Sequence, residues 1–315
     1  MPPTRIIVLV VLHCVFLVTC FTSSTFILTV NFLEWLKTRK HNSCDLIINC
    51  IVTINIILQA SVTLNEICFL LFLEFYIQIF LANSLVALMS SLTFSSLWCS
   101  TCLCFYYCVK IVGFNGKLFY KIKANITVIV PWLLLFCIVI SCTVGLAAYW
   151  DIYLSISLSS ANVTWNTSSI VPGIESGCNC LFNVFMFVSA LAFFIISITA
   201  GAIVVSLCKH MKHITKNNQG FGNTRLTSLK SAAQTVTSLL ILYLVMFGSL
   251  NVIFNGAEDA TSLIVHLFFA VAASCPTINA IILIHGNRKL SNVMTHLLCM
   301  ESKAVNNEVT ITTNS

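Results

Sequence analysis

Few residues in this chain carry side chains that do chemistry. Glu66 and His266 each stand inside a long apolar run. An ionisable side chain is expensive in lipid and tends to face a cavity or a partner. Glu66 therefore reads either as a counter-charge for a cationic ligand or as a residue that has reached the lipid headgroups. His266 reads as a ligand contact or as an interfacial histidine. Lys209, His210, Lys212, His213 and Lys216 form a basic segment, the composition of a solvated face attracted to anionic lipid. The 16 cysteines are spread mostly through apolar runs, where they read as small packing residues rather than a disulfide framework. No Cys/His spacing suggests a metal site, and no metal is expected. There is no Ser/His/Asp set, no carboxylate pair within an apolar run and no phosphate loop, so no catalytic residues, no enzyme and no cofactor are expected.

The elements that must position these residues are membrane helices. The chain has 315 residues, 58% hydrophobic and only 8% charged, with a mean hydropathy of +0.96. A soluble domain carries about 25% charged residues. Long apolar runs without strand alternation point to helices rather than a barrel, each needing roughly 20 apolar residues. Seven spans fit: about 6–34, 45–70, 77–110, 126–149, 180–208, 230–254 and 262–285. The fold expected is an all-α membrane protein, a seven-transmembrane helix bundle, with residues 1–290 as its domain and 291–315 as a short cytosolic tail. The apolar run from Ile6 to Leu33 is too long for a signal-peptide core and reads as an uncleaved first span.

Every Lys and Arg except Arg5 falls after spans one, three, five or seven. The other side holds Glu66, Glu74, Asp151, Glu175, Glu258 and Asp259. The positive-inside rule puts the N-terminus outside and the C-terminus in the cytosol. Asn162-Val-Thr164 and Asn166-Thr-Ser168 are glycosylation sequons in the loop after span four, which this orientation makes extracellular; Asn125-Ile-Thr127 lies on the cytosolic side and is expected to be unmodified. Residues 159–177 read as a polar surface loop, and the tail from Glu301 as disordered. Basic charge confined to short loops sets orientation and argues against nucleic acid as a partner. No internal repeat is visible, which weakens a transporter built from duplicated halves.

The third span carries Trp98, Ser100, Thr101, Leu103, Tyr107, Lys110 and Ile111. Its small residues allow close helix approach, and Tyr106, Tyr107 and Lys110 mark where it leaves the bilayer. Span one ends Phe26-Ile27-x-x-Val30-Asn31-x-x-Glu34-Trp35, and span five Ser206-Leu207-x-x-His210. Span six brings Leu229-Lys230 and Ser238-Leu-Leu-Ile-Leu-Tyr243. The last span closes with Pro276, Leu283-Ile284, Gly286-Asn287-x-Lys289-Leu290. In order and spacing these resemble the bitter taste receptors (taste receptor type 2), a family of G-protein-coupled receptors. Departures are local. Asn55 stands where the family has arginine, Asn279-Ala280 where it has His-Ser, and Met89 and Thr93 where it has Trp and Asn. The rhodopsin-type Asp-Arg-Tyr and Asn-Pro-x-x-Tyr are missing.

The resemblance implies a plasma-membrane receptor for a bitter-tasting small molecule. Its ligand would enter from outside into a cavity among spans two, three, five, six and seven. It implies a cavity wall containing Glu66, Met89, Thr93, His266 and Phe269. It implies that Tyr107, Lys110 and His210 face a heterotrimeric G protein of the gustducin type, leading to calcium release. Cys178 and Cys180 read as free thiols, or one of them pairs with an outer cysteine such as Cys68. The alternatives are a vomeronasal type 1-like pheromone receptor, against which Glu34-Trp35 and the Gly286-to-Leu290 ending argue, and a seven-helix transporter or channel, which would call for several ionisable residues across the midplane.

Overall fold

The computed structural model describes the chain except residues 1–2, 40–41, 73–75, 77–78, 113–115, 159–169, 177–178, 218–222, 256–262, 298 and 300–315. For residues 3, 79–80, 118, 148–158, 170–176, 179–185, 210–217, 223–229, 254–255 and 263 only the backbone is described. Eight helices are α1 Pro3–Thr38, α2 Ser43–Leu71, α3 Ile79–Ile111, α4 Lys117–Ala124, α5 Ile126–Asp151, α6 Asn179–Asn217, α7 Asn223–Asn255 and α8 Leu263–Gly286. Residues 288–297 are again helical. All but α4 contain a stretch long and apolar enough to cross a membrane, seven in total among the described residues.

Their limits follow local chemistry. α1 ends where Arg39 takes a left-handed φ of 53° and its N–H bonds the Trp35 carbonyl, a helix-terminating geometry; its guanidinium lies over the Trp35 ring at 5.4 Å. α2 is opened by Asn42, whose side-chain oxygen accepts from the Cys44 N–H at 3.3 Å, with Asp45 in the first turn where a negative charge suits the helix dipole. Within the spans, hydroxyls bond back into their own helix: Ser91 to the Ala87 carbonyl and Ser95 to that of Ser91, both at 2.8 Å, and Thr101 to that of Leu97 at 2.9 Å. A polar group in an apolar span is thereby satisfied without water.

α3 is the centre of the bundle, packing against α2, α5, α6 and α7. Leu97, Cys99, Leu103 and Cys104 are buried there with Ile47 and Ile51 of α2, Ile196 of α6 and Leu239 of α7. The outward stripe of α5, Val128, Trp132, Leu135 and Val139, is exposed, as is that of α1, Val8, Val11, Val15 and Val18. Apolar residues recurring every three or four positions on an outer face suit lipid contact. Gly145 of α5 marks a close approach to α3. A Cβ there would strike the Ser91 side chain and lie 2.7 Å from the Ala87 carbonyl. Pro131 and Pro276 sit inside continuous helices.

Three features differ from the sequence reading. The stretch after α5 contains a two-stranded antiparallel hairpin, β1 Ile152–Leu158 and β2 Ile170–Ser176, in register from Ile152 opposite Ser176 to Leu158 opposite Ile170, so the all-α expectation gains one sheet. Alternating Ile152, Leu154, Ile156 and Leu158 is strand-like patterning that the Ser/Thr/Asn-rich composition beyond it obscured. The basic loop after α3 contains α4. α6 and α7 extend past the membrane boundaries at 208 and 230, because the polar flanks there contain no helix breaker before Gly220 and Gly222.

Candidate functional site

Two cavities open toward opposite ends of the bundle. The first, of about 220 Å³, lies among α2, α3, α7 and α8. Leu58, Val62 and Phe69 of α2, Val86 of α3 and Met246, Leu250 and Ile253 of α7 make its lining mostly apolar. No Lys or Arg is among its described lining residues. All five residues expected at a ligand cavity line this one space: Glu66 from α2, Met89 and Thr93 from α3, His266 and Phe269 from α8.

The polar members of this wall are deeply set. Glu66 and His266 are each 5% exposed. Glu66 Oε2 and His266 Nε2 have no hydrogen-bond partner, an unusual state for buried polar atoms. Asn65, beside Glu66, is occupied: its side-chain oxygen accepts from the Tyr76 hydroxyl at 3.0 Å. Burial, followed by the neighbouring Glu66 carboxylate, pushes the Tyr76 phenol up to about 12. The Tyr76 ring meets Phe69 edge-on at 5.6 Å, and Phe69 in turn lies 6.1 Å from the His266 ring. Cys68 is a free thiol packed with Tyr76, Ala82 and Leu85; Cys178 lies outside the described residues, and the Cys180 side chain is not described.

The floor of this cavity is a polar junction. Tyr243 of α7, 2% exposed, lines it together with Ser96 and Asn279. The Tyr243 hydroxyl lies 2.8 Å from Ser100 Oγ, donates to the Ser96 carbonyl at 3.1 Å and accepts from Asn279 Nδ2 at 3.0 Å. Ser96 Oγ donates to Asn55 Oδ1 at 2.7 Å. One hydroxyl thus joins α3, α7 and α8, and Ser96 extends the junction to α2. Asn55 and Asn279, two of the departures from the family pattern, are both members of it. Ser96 and Ser100 are four apart on one helix face, the spacing from which this junction could have been anticipated.

The second cavity, about 580 Å³, is lined by Tyr106, Tyr107 and Lys110 of α3, Cys44 and Asp45 of α2, Glu34 of α1, Ser231 of α7 and the segment from Gly286 to Lys289. Tyr107 is half-buried and accepts from Cys44 Sγ at 3.6 Å. Lys110 is exposed, donates to the Tyr106 hydroxyl at 2.9 Å and lies over that ring at 5.2 Å. Lys289 Nζ bridges Glu34, at 2.5 Å, and Asp45, at 3.1 Å. α8 ends against α7: a Cβ on Gly286 would strike Thr235, and Ser231 Oγ donates to the Gly286 carbonyl at 2.7 Å. Tyr107 and Lys110 are thus brought together, whereas His210 lies on α6 with its side chain not described. Asn162 and Asn166 lie outside the described residues. Among the described residues no group of three or more His, Cys, Asp or Glu is placed to hold a metal ion.

The family model described as Taste receptor protein (TAS2R) matches residues 1–302. Human taste receptor type 2 member 2 is 24% identical over 285 residues, covering 90% of this chain and 92% of that protein. Human member 39 is 28% identical over 273 residues (83% and 78% of the two chains), and gorilla member 8 is 28% identical over 282 residues (87% and 89%).

Proposed function

This chain belongs to the taste receptor type 2 family and is a multi-pass, G-protein-coupled bitter taste receptor, and we propose that its ligand occupies the cavity containing Glu66, Met89, Thr93, His266 and Phe269. In this reading residues 1–290 are the receptor domain, the N-terminus and the sequons at Asn162 and Asn166 are extracellular, and residues 291–315 are a cytosolic tail. The second cavity, with Tyr107 and Lys110, and the α6 extension with His210, then face a heterotrimeric G protein of the gustducin type, whose activation releases calcium. The pheromone-receptor and transporter readings fall away with the family assignment.

One observation carries the proposal: five residues from three helices converge on a single apolar cavity whose floor is the Tyr243 junction. Such a space suits a small, largely apolar ligand with a few fixed polar contacts. A ligand activates only if it binds the active arrangement more tightly than the inactive one. Moving α7 relative to α3 must break the bonds from Tyr243 to Ser96 and Ser100, so a ligand touching Tyr243 acts directly on the contact that differs between arrangements.

The test is a calcium response in cells expressing the chain with and without a gustducin-like G protein, against a panel of bitter compounds. A dose-dependent response that requires the G protein, shifts in Thr93→Leu and is lost in Tyr107→Ala at equal surface expression is the expected result. A response insensitive to cavity substitutions would place the ligand elsewhere.

A further inference from the structure

The polar wall of the cavity identifies a class of ligand; the inference rests on the ligand-cavity reading above. Glu66 is almost completely buried, its Oε2 is unpartnered, and the described residues of the cavity lining supply no Lys or Arg to balance it. Asn65, the nearest amide in sequence, has its oxygen engaged by Tyr76. Around Glu66 stand aromatic rings: Phe69 and Tyr76 in edge contact, His266 beside Phe69, and Phe269 further along α8 on the same wall.

An unpaired carboxylate in an apolar wall is costly, and the cost is removed when a positive group enters beside it. Aromatic faces attract the same group through their negative π-surface, most strongly for a weakly hydrated alkylammonium. An anion would be repelled. A bare metal ion lacks a ligand set, since no group of three or more donors is placed for one among the described residues. A neutral ligand leaves the aromatic faces and the carboxylate without a complementary charge. The rest of the cavity, toward Met246 and Leu250, is mostly apolar, with Thr93, Ser96, Tyr243 and Asn279 as its uncharged polar members.

We infer that this site takes hydrophobic alkylammonium cations, tertiary or quaternary, with the charged head between Glu66 and the rings of Phe69 and Tyr76 and the apolar body directed toward Tyr243. His266 Nε2 supplies a second polar contact for a ligand that carries one beside the head.

The experiment compares benzyltrimethylammonium with its uncharged carbon isostere, neopentylbenzene, by the melting temperature of the purified full-length chain in neutral detergent. A compound that binds the folded state raises that temperature as the logarithm of one plus its concentration over its dissociation constant, so the concentration dependence of the shift gives that constant. The expected result is that the ammonium compound acts at lower concentration than the isostere, and that Glu66→Gln raises its dissociation constant by about tenfold or more without changing that of the isostere. Phe69→Leu weakens the ammonium compound selectively and decides the matter if Glu66→Gln does not fold. Equal dissociation constants for the two compounds in the wild type, or an ammonium constant unmoved by both substitutions, overturns the cation assignment and leaves the cavity reading intact. No shift from either compound in the wild type overturns the cavity as the ligand site, and the assignment with it.

Discussion

Lys289 Nζ, just past the last span, lies 2.5 Å from the carboxylate of Glu34 at the end of the first. Two motifs at opposite ends of the chain, Glu34-Trp35 and Asn287-x-Lys289-Leu290, are therefore halves of one contact, with Asp45 of α2 as its third member at 3.1 Å. The side chains are partly exposed, so the contribution is discounted for solvent to about 1 kcal/mol. Lys289→Met is expected to lower the melting temperature by a few degrees. Removing the lysine leaves two carboxylates facing each other. Glu34→Gln should accordingly destabilise the wild type but stabilise the Lys289→Met background, a sign change that a double-mutant cycle reads directly.

Tyr243→Phe deletes the hydroxyl that joins α3, α7 and α8. Asn279 Nδ2 then loses its acceptor in a buried position. A loss of about 1–3 kcal/mol is expected, together with raised basal calcium signalling, because the bonds between α7 and α3 hold the arrangement observed here. Unchanged stability with unchanged basal signalling would show that the junction is not a restraint.

Gly145→Ala is expected to destabilise by forcing α5 away from α3. Ser91→Ala in the same background should recover only part of the loss, since the Ala87 carbonyl, 2.7 Å from the added Cβ, belongs to the backbone. Gly201 has no atom within 4 Å of such a Cβ, so Gly201→Ala should be neutral or stabilise by up to about 1 kcal/mol. Thermal melts of the three variants make the comparison.

The proposed orientation predicts that Asn162 and Asn166 carry glycans and Asn125 does not. Glycosidase treatment should shift the electrophoretic mobility of the wild type, and Asn162→Gln with Asn166→Gln should abolish that shift. A shift abolished instead by Asn125→Gln would invert the topology.

Much of this arrangement is legible in the sequence because lipid imposes simple constraints. Apolar run length fixes the number and place of the seven membrane-crossing stretches, though not the polar extensions of α6 and α7 beyond them. The cost of an ionisable group in a span singles out Glu66 and His266, both of which line the cavity. Other features lack such a signal. Tyr243 reads as one aromatic among many until its three polar neighbours on two other helices, Ser96, Ser100 and Asn279, are seen. Lys289, Glu34 and Asp45 each look like an ordinary charge in a loop, and only chain closure brings them together. The hairpin between α5 and α6 is hidden because seven-residue strands beside a Ser- and Thr-rich loop give a weak pattern next to a 26-residue apolar helix.

The cavity is asymmetric along its length. Its charged and aromatic groups lie at one end, and the hydroxyl that joins the helices lies at the other. A short molecule anchored at Glu66 fills the first end without reaching Tyr243, whereas a longer one spans both. Affinity and efficacy would then be read by different ends of the ligand, and trimming an agonist at its apolar tip would turn it into a blocker of the same receptor.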